Sequence, residues 1–132
     1  GGEEFLLVFR PLPRGSLARL GQRLCTRIAE HSFDLGNGQR HRLTASVGLI
    51  ECPLFPSHPR LLGWEQLVTL ADRALYRAKT SGRNGWIAYQ PVPGAQLPDD
   101  LSVITGDPWW LVENGLLEMF GIEGEIRCEA TP

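Results

Sequence analysis

No run of about 18 consecutive apolar residues occurs in this chain, so no segment is built to cross a bilayer as a helix. Its opening residues also lack the charged-then-apolar pattern of a signal peptide. Cysteine is scarce: Cys25, Cys52 and Cys128 form no CxxC pair and no even-numbered set. That excludes a disulfide scaffold and leads us to expect reduced thiols in a cytoplasmic protein. His31, His41 and His58 show no zinc-ligand spacing to one another or to the cysteines, so no structural metal site is expected. Lysine is nearly missing as well; before position 99 it is represented by Lys79 alone. Internal repeats and low-complexity tracts are absent.

What is present is 132 residues with 42% hydrophobic content, enough for one globular domain with a real core. The net charge of -2 hides an uneven distribution. Residues 1–98 carry 12 Arg and Lys against 7 Asp and Glu, a surplus of five positive charges. Residues 99–132 carry one Arg against 8 Asp and Glu, a deficit of seven. A basic body suits an anionic ligand such as a nucleotide, and an acidic tail does not.

The apolar run at 4–9, EFLLVF, has the pattern of a strand covered on both faces. After the breaker RPLPRG, Ser16 is placed to cap a helix whose apolar stripe is Leu17, Leu20, Leu24 and Ile28, ending near His31. Asn37-Gly38 signals a tight turn. Alternation of Leu43, Ala45, Val47 and Leu49 against their neighbours predicts a strand over 41–52. A second helix is expected over 64–81, with Leu67, Leu70, Ala71, Ala74, Leu75 and Ala78 on one face and Gly82 stopping it. A short strand follows at 86–89, then a Pro/Gly linker at 91–98. In the acidic extension 99–132, a strand at 101–105, a helix across 109–120 interrupted by Asn114-Gly115, and a strand at 124–130 are suggested. The order strand, helix, strand, helix, strand predicts an α/β layer with helices packed on a sheet.

Two short stretches can carry chemistry. In GGEEF, two glycines before two carboxylates suit a hairpin tip where backbone passes close to a ligand. Adjacent strand residues point to opposite faces, so only one of Glu3 and Glu4 meets a given ligand squarely. A carboxylate at such a tip can bind magnesium, a hard cation that takes few protein oxygens plus substrate phosphates. A solvated turn before a buried strand explains the same five residues. In ADRALYRAKTSGRNG, Lys79 lies in the last helical turn and Arg83 follows Gly82, so both cations can point off one helix end toward a shared anion. Alone, that stretch is explained first by ordinary C-terminal capping. Asp72 lies on the polar face, where a surface salt bridge or an orienting contact to Lys79 is expected.

Taken together and in this order, GGEEF, LTASVGLI and ADRALYRAKTSGRNG resemble the C-terminal half of the GGDEF family, the diguanylate cyclases. The resemblance covers residues 1–90. It implies an α+β, palm-like domain akin to the nucleotidyl cyclases, with helices on an antiparallel or mixed sheet. It implies condensation of two GTP into cyclic di-GMP with release of pyrophosphate, between two protomers of a homodimer, with magnesium (or manganese) as cofactor. By motif, Gly1 and Gly2 would form the tip near the nucleotide. Glu3 would hold the metal and assist deprotonation of the 3′-hydroxyl, and Glu4 would be a second catalytic carboxylate. Lys79 and Arg83 would bind phosphate.

In that family GGEEF lies mid-domain. A metal-binding aspartate strand, a phosphate loop, the guanine-binding helices and an inhibitory RxxD come before it, and none of them is in this sequence. The chain is therefore expected to be a fragment that is inactive alone and prone to self-association through its sheet edge. For the extension, three readings fit: a disordered acidic tail, the start of another domain, or a segment folded back on the body. A non-catalytic GGDEF module that binds GTP or cyclic di-GMP, or only dimerises, is the alternative function. A nucleic-acid partner is not expected, because interleaved basic and aromatic residues are missing and the extension would repel phosphates.

Overall fold

The computed structural model describes residues 2–121. Gly1, Cys128 and the strand suggested at 124–130 lie outside the described residues. The first helix, α1 (Leu17–Glu30), buries Leu17, Gly21 and Cys25 against Leu49, Trp86 and Ala88, with Leu20 alongside. Ser16 occupies the N-cap position without capping: its hydroxyl donates to the Pro13 carbonyl instead. At the other end Arg42 donates to the Ala29 and Glu30 carbonyls, at 3.5 and 3.1 Å, satisfying two orphan acceptors of the helix.

The turn signal is met: β1 (Ser32–Gly36) and β2 (Gln39–Arg42) form an antiparallel hairpin around Asn37 and Gly38. Both turn residues are left-handed, with φ of 52° and 75°, the conformation Asn-Gly adopts at least cost. This corrects the single strand expected over 41–52. His41 and Arg42 belong to the hairpin, and only β3 (Val47–Ile50) joins the main sheet. Leu43 keeps the alternating phase yet stays exposed, because the chain has left one partner before reaching the next.

From β3 the chain crosses through α2 (Trp64–Thr80) to β4 (Trp86–Pro91), which pairs parallel to β3 from Val47↔Trp86 to Ile50↔Tyr89. Gly82 takes φ of 112°, and the Arg83 amide donates to the Ala78 carbonyl at 3.1 Å, closing α2 in a Schellman turn. The α2 face seen in the sequence is buried at Leu67, Leu70, Ala74 and Ala78.

Beyond β4, two expectations are corrected. Residues 101–105 form no strand; a single 3-10 turn, Leu101–Val103, is held by Asp100, whose Oδ1 accepts from both the amide and the hydroxyl of Ser102. The helix expected across 109–120 is half helix and half strand. α3 (Pro108–Glu113) starts on Pro108 under an Asp107 cap and stops at Gly115, which takes φ of 70°. β5 (Leu117–Gly121) then pairs antiparallel with β4, from Ile87↔Gly121 to Pro91↔Leu117.

The result is a mixed three-stranded sheet in the order β3-β4-β5, an α+β architecture of the expected kind. Side chains alternate across it. Leu49, Trp86, Ala88 and Phe120 face α1, whereas Ile87, Tyr89, Leu117 and Met119 share the other core with α2 and Leu111 of α3. The two ion pairs seen among the described residues, Arg14–Glu51 and Lys79–Glu4, both lie within residues 1–98. The extension is therefore seated by apolar burial and strand pairing, not by its charge.

The largest departure is at 4–9. Phe5 is 87% exposed, and Leu6, Leu7, Val8 and Phe9 are exposed too; none is in a strand. A strand needs a neighbour for its N–H and C=O groups, and no described strand lies beside this segment.

Candidate functional site

Two elements build the site. The last turn of α2 presents Lys79, and the exposed segment after Gly2 presents Glu3 and Glu4. Glu4 Oε1 accepts a hydrogen bond from Lys79 Nζ at 2.9 Å across 75 positions of sequence. This contact brings the two chemistry-bearing stretches to one corner of the fold. Glu3 and Gly2 are exposed at that corner. A Cβ on Gly2 would meet nothing within 4 Å, so packing does not demand glycine there.

Arg83 lies just past the α2 cap, exposed, with its backbone in the left-handed region at φ of 62°; Asn84 follows at 45°. Such conformations cost non-glycine residues energy and collect at functional sites. In the sequence only the Gly-Arg-Asn-Gly spelling hints at this pair of left-handed residues. Among the described residues the Arg83 guanidinium has no acidic partner. Asp72 is corrected: it stays exposed, and Lys79 pairs with Glu4 instead.

The Lys79 ammonium, by hydrogen bond and by charge, holds the Glu4 carboxyl below its ordinary pKa of 4.5. A depressed carboxylate stabilises the folded chain above the unfolded value, and that contribution is lost as pH falls through the folded value, below 4.5. We expect the Glu4 carboxyl carbon to titrate by NMR with a midpoint under 4.5 and to return to the ordinary range in Lys79→Met. Identical midpoints in the two proteins would rule the pairing out in solution.

Among the described residues Glu3 and Arg83 have no ion-pair partner, and Glu4 is paired with Lys79. A phosphate arriving here would compete with Glu4 for Lys79. Among the described residues no three His, Cys, Asp or Glu side chains gather to hold a metal. A hard cation such as magnesium accepts one or two carboxylates with substrate phosphates supplying the rest, so Glu3 fits that donor chemistry without a protein cage. No described helix is long and apolar enough to cross a membrane.

Comparison with known proteins agrees with the three motif blocks. The family model described as "Diguanylate cyclase, GGDEF domain" matches residues 1–85. Diguanylate cyclase DosC of Escherichia coli K12 is 33% identical over 84 residues, which cover 64% of this chain and 17% of that protein. Diguanylate cyclase DgcZ of the same strain is 30% identical over 84 residues, 26% of its length. The bifunctional diguanylate cyclase/cyclic di-GMP phosphodiesterase MucR of Pseudomonas aeruginosa is 28% identical over 145 aligned positions, spanning 98% of this chain and 20% of the relative. The chain thus spans about a fifth of the length of these relatives. No solved structure matches. With a family model covering well over half its length, and with the motif blocks joined at one corner of the fold, the chain belongs to the GGDEF family.

Proposed function

We propose that this chain is the C-terminal half of the GGDEF domain of a cytoplasmic diguanylate cyclase, a homodimer that condenses two GTP into cyclic di-GMP with release of pyrophosphate. The observation that carries the reading is the Glu4–Lys79 contact, which joins GGEEF to the cationic end of α2. Glu3 is the candidate metal ligand and the group that assists deprotonation of the 3′-hydroxyl, and Glu4 is the second acidic contributor. Lys79 and Arg83 are the phosphate grip, with Gly1 and Gly2 at the nucleotide-facing tip. Magnesium or manganese, when bound, neutralises phosphate charge and lowers the pKa of the attacking hydroxyl.

The alternative is a non-catalytic GGDEF module that binds GTP or cyclic di-GMP, or dimerises, to regulate a neighbour. One observation favours it: among the described residues no three His, Cys, Asp or Glu side chains gather to hold a metal, and Glu4 is already paired with Lys79. The chain alone is therefore expected to make no cyclic di-GMP.

Chromatographic detection of cyclic di-GMP from GTP and magnesium, using the full-length protein that carries this domain, tests the reading. Glu3→Ala is expected to abolish product. Lys79→Ala or Arg83→Ala is expected to lower kcat/KM by about 10- to 100-fold, the loss typical of one charged hydrogen-bond partner. Tight GTP or cyclic di-GMP binding by a full-length protein that makes no product would establish the regulatory module instead.

A further inference from the structure

The exposed side of α1 carries a charge pattern that the fold leaves unanswered. Arg19, Arg23 and Arg27 recur every fourth residue, so they share one side of the helix and repel one another. The helix has no acidic residue in its first turn, and none of the three arginines pairs with a described residue. On the neighbouring hairpin Arg40 stands opposite Asp34 in register and Arg42 is occupied by the carbonyls at the end of α1, so the unanswered charge is that of the three α1 arginines.

The complementary charge is in the extension. Residues 99–121 carry Asp99, Asp100, Asp107, Glu113 and Glu118, with no Lys or Arg. Asp100 and Asp107 are used as caps, and Glu118 accepts from Gln90 Nε2 at 2.6 Å. Asp99 and Glu113 are exposed without a described partner. Within one molecule the two patches cannot meet. α1 covers one face of the sheet, whereas Ala95, Leu97, Ile104 and Trp110 pack into the core on the other. Each layer adds roughly 10 Å, so the sheet and its two cores lie between the arginines and the acids.

We propose that the arginine face of α1 docks the acidic extension, around Asp99 and Glu113, of a second copy of this chain. Because the patches lie on opposite faces, the contact is head-to-tail and closes only if its rotation does. It is independent of the cyclase reading and of the apolar segment 5–9. Being electrostatic between exposed groups, it is strong at low salt and weak at high salt.

Sedimentation velocity of the 132-residue chain tests this at about 0.01 M and about 1 M salt, where the Debye length is about 30 Å and about 3 Å. Association at low salt that dissolves at high salt is expected. R19E/R23E/R27E and D99K/E113K should each lose the salt-sensitive association, with unchanged circular dichroism, and a mixture of the two should regain it. A chain whose association at low salt equals that at high salt overturns the proposal, as does salt-sensitive association that both variants retain in full. A monomeric chain whose arginines instead bind phosphatidylserine vesicles or duplex DNA also overturns it, giving the face to another polyanion.

Discussion

Ending the chain at Pro91 is expected to abolish cooperative folding. The deletion removes Leu111, Leu116, Leu117 and Met119, each no more than 3% exposed, from the core they share with Leu70, Ala74, Ile87 and Tyr89. Burying such a side chain is worth about 1.5–3 kcal/mol, so the four together contribute roughly 6–12 kcal/mol. That is comparable to the roughly 5–15 kcal/mol of net stability typical of a whole domain. The deletion also strips the β5 partner from β4 and leaves Ile87, Ala88 and Tyr89 on an open edge, a template for pairing with other chains. We therefore expect an insoluble or dye-binding product with no urea transition. A soluble truncated chain with an unchanged transition would show that the extension is not part of the core. The point substitution Leu117→Ala is the milder version, with an expected loss of about 2–5 kcal/mol in urea denaturation.

The same segment explains where sequence reasoning works on this chain. Both long helices, the Asn37-Gly38 turn and the Gly82 stop are local events, decided by spacing and by φ preferences within a few residues. Strand partners are not local. The run at 4–9 is spelled like a buried strand, yet no described strand lies beside it to receive it. The run at 109–120 is two short apolar blocks on either side of Glu113, Asn114 and Gly115, each too short for periodicity to tell helix from strand; the turn at Gly115, which takes φ of 70°, decides the change after α3.

For the candidate site, the sequence marks both stretches but not the contact between them. Spacing suggested Asp72 as an orienting partner for Lys79. Seven residues of helix rise about 10.5 Å, too far for a direct ion pair, and Lys79 sits in the last turn, beside Glu4. The family resemblance named both ends of this contact without requiring that they touch. It also offered no counterpart for the extension, whose docking follows from burial that only three-dimensional structure displays.

Gly48→Ala is the second change for which a large effect is expected, and its cause is backbone on backbone. Gly48 lies on β3 facing α2, and an added Cβ would come within 2.2 Å of the Ala71 carbonyl oxygen and 2.3 Å of the Leu75 amide nitrogen. No rotamer change relieves contacts with main-chain atoms, so strand and helix must move apart. Separating them loosens Leu70 and Ala74, both fully buried, from Ile87 on β4. The expected loss is about 3 kcal/mol or more, at the upper end for an overpacked core. The corresponding fall in melting temperature is roughly 10 °C. Gly63→Ala serves as the control: the nearest atom to an added Cβ is 3.8 Å away, an ordinary contact, so only the cost of Ala at the α2 N-cap, about 1 kcal/mol or less, is expected. Calorimetry on the two variants decides the matter. Equal melting temperatures would mean that β3 does not press against α2 as tightly as the fold describes. Because α2 carries Lys79 at its far end, a displaced helix should also free Glu4, whose carboxyl would then titrate closer to its ordinary 4.5.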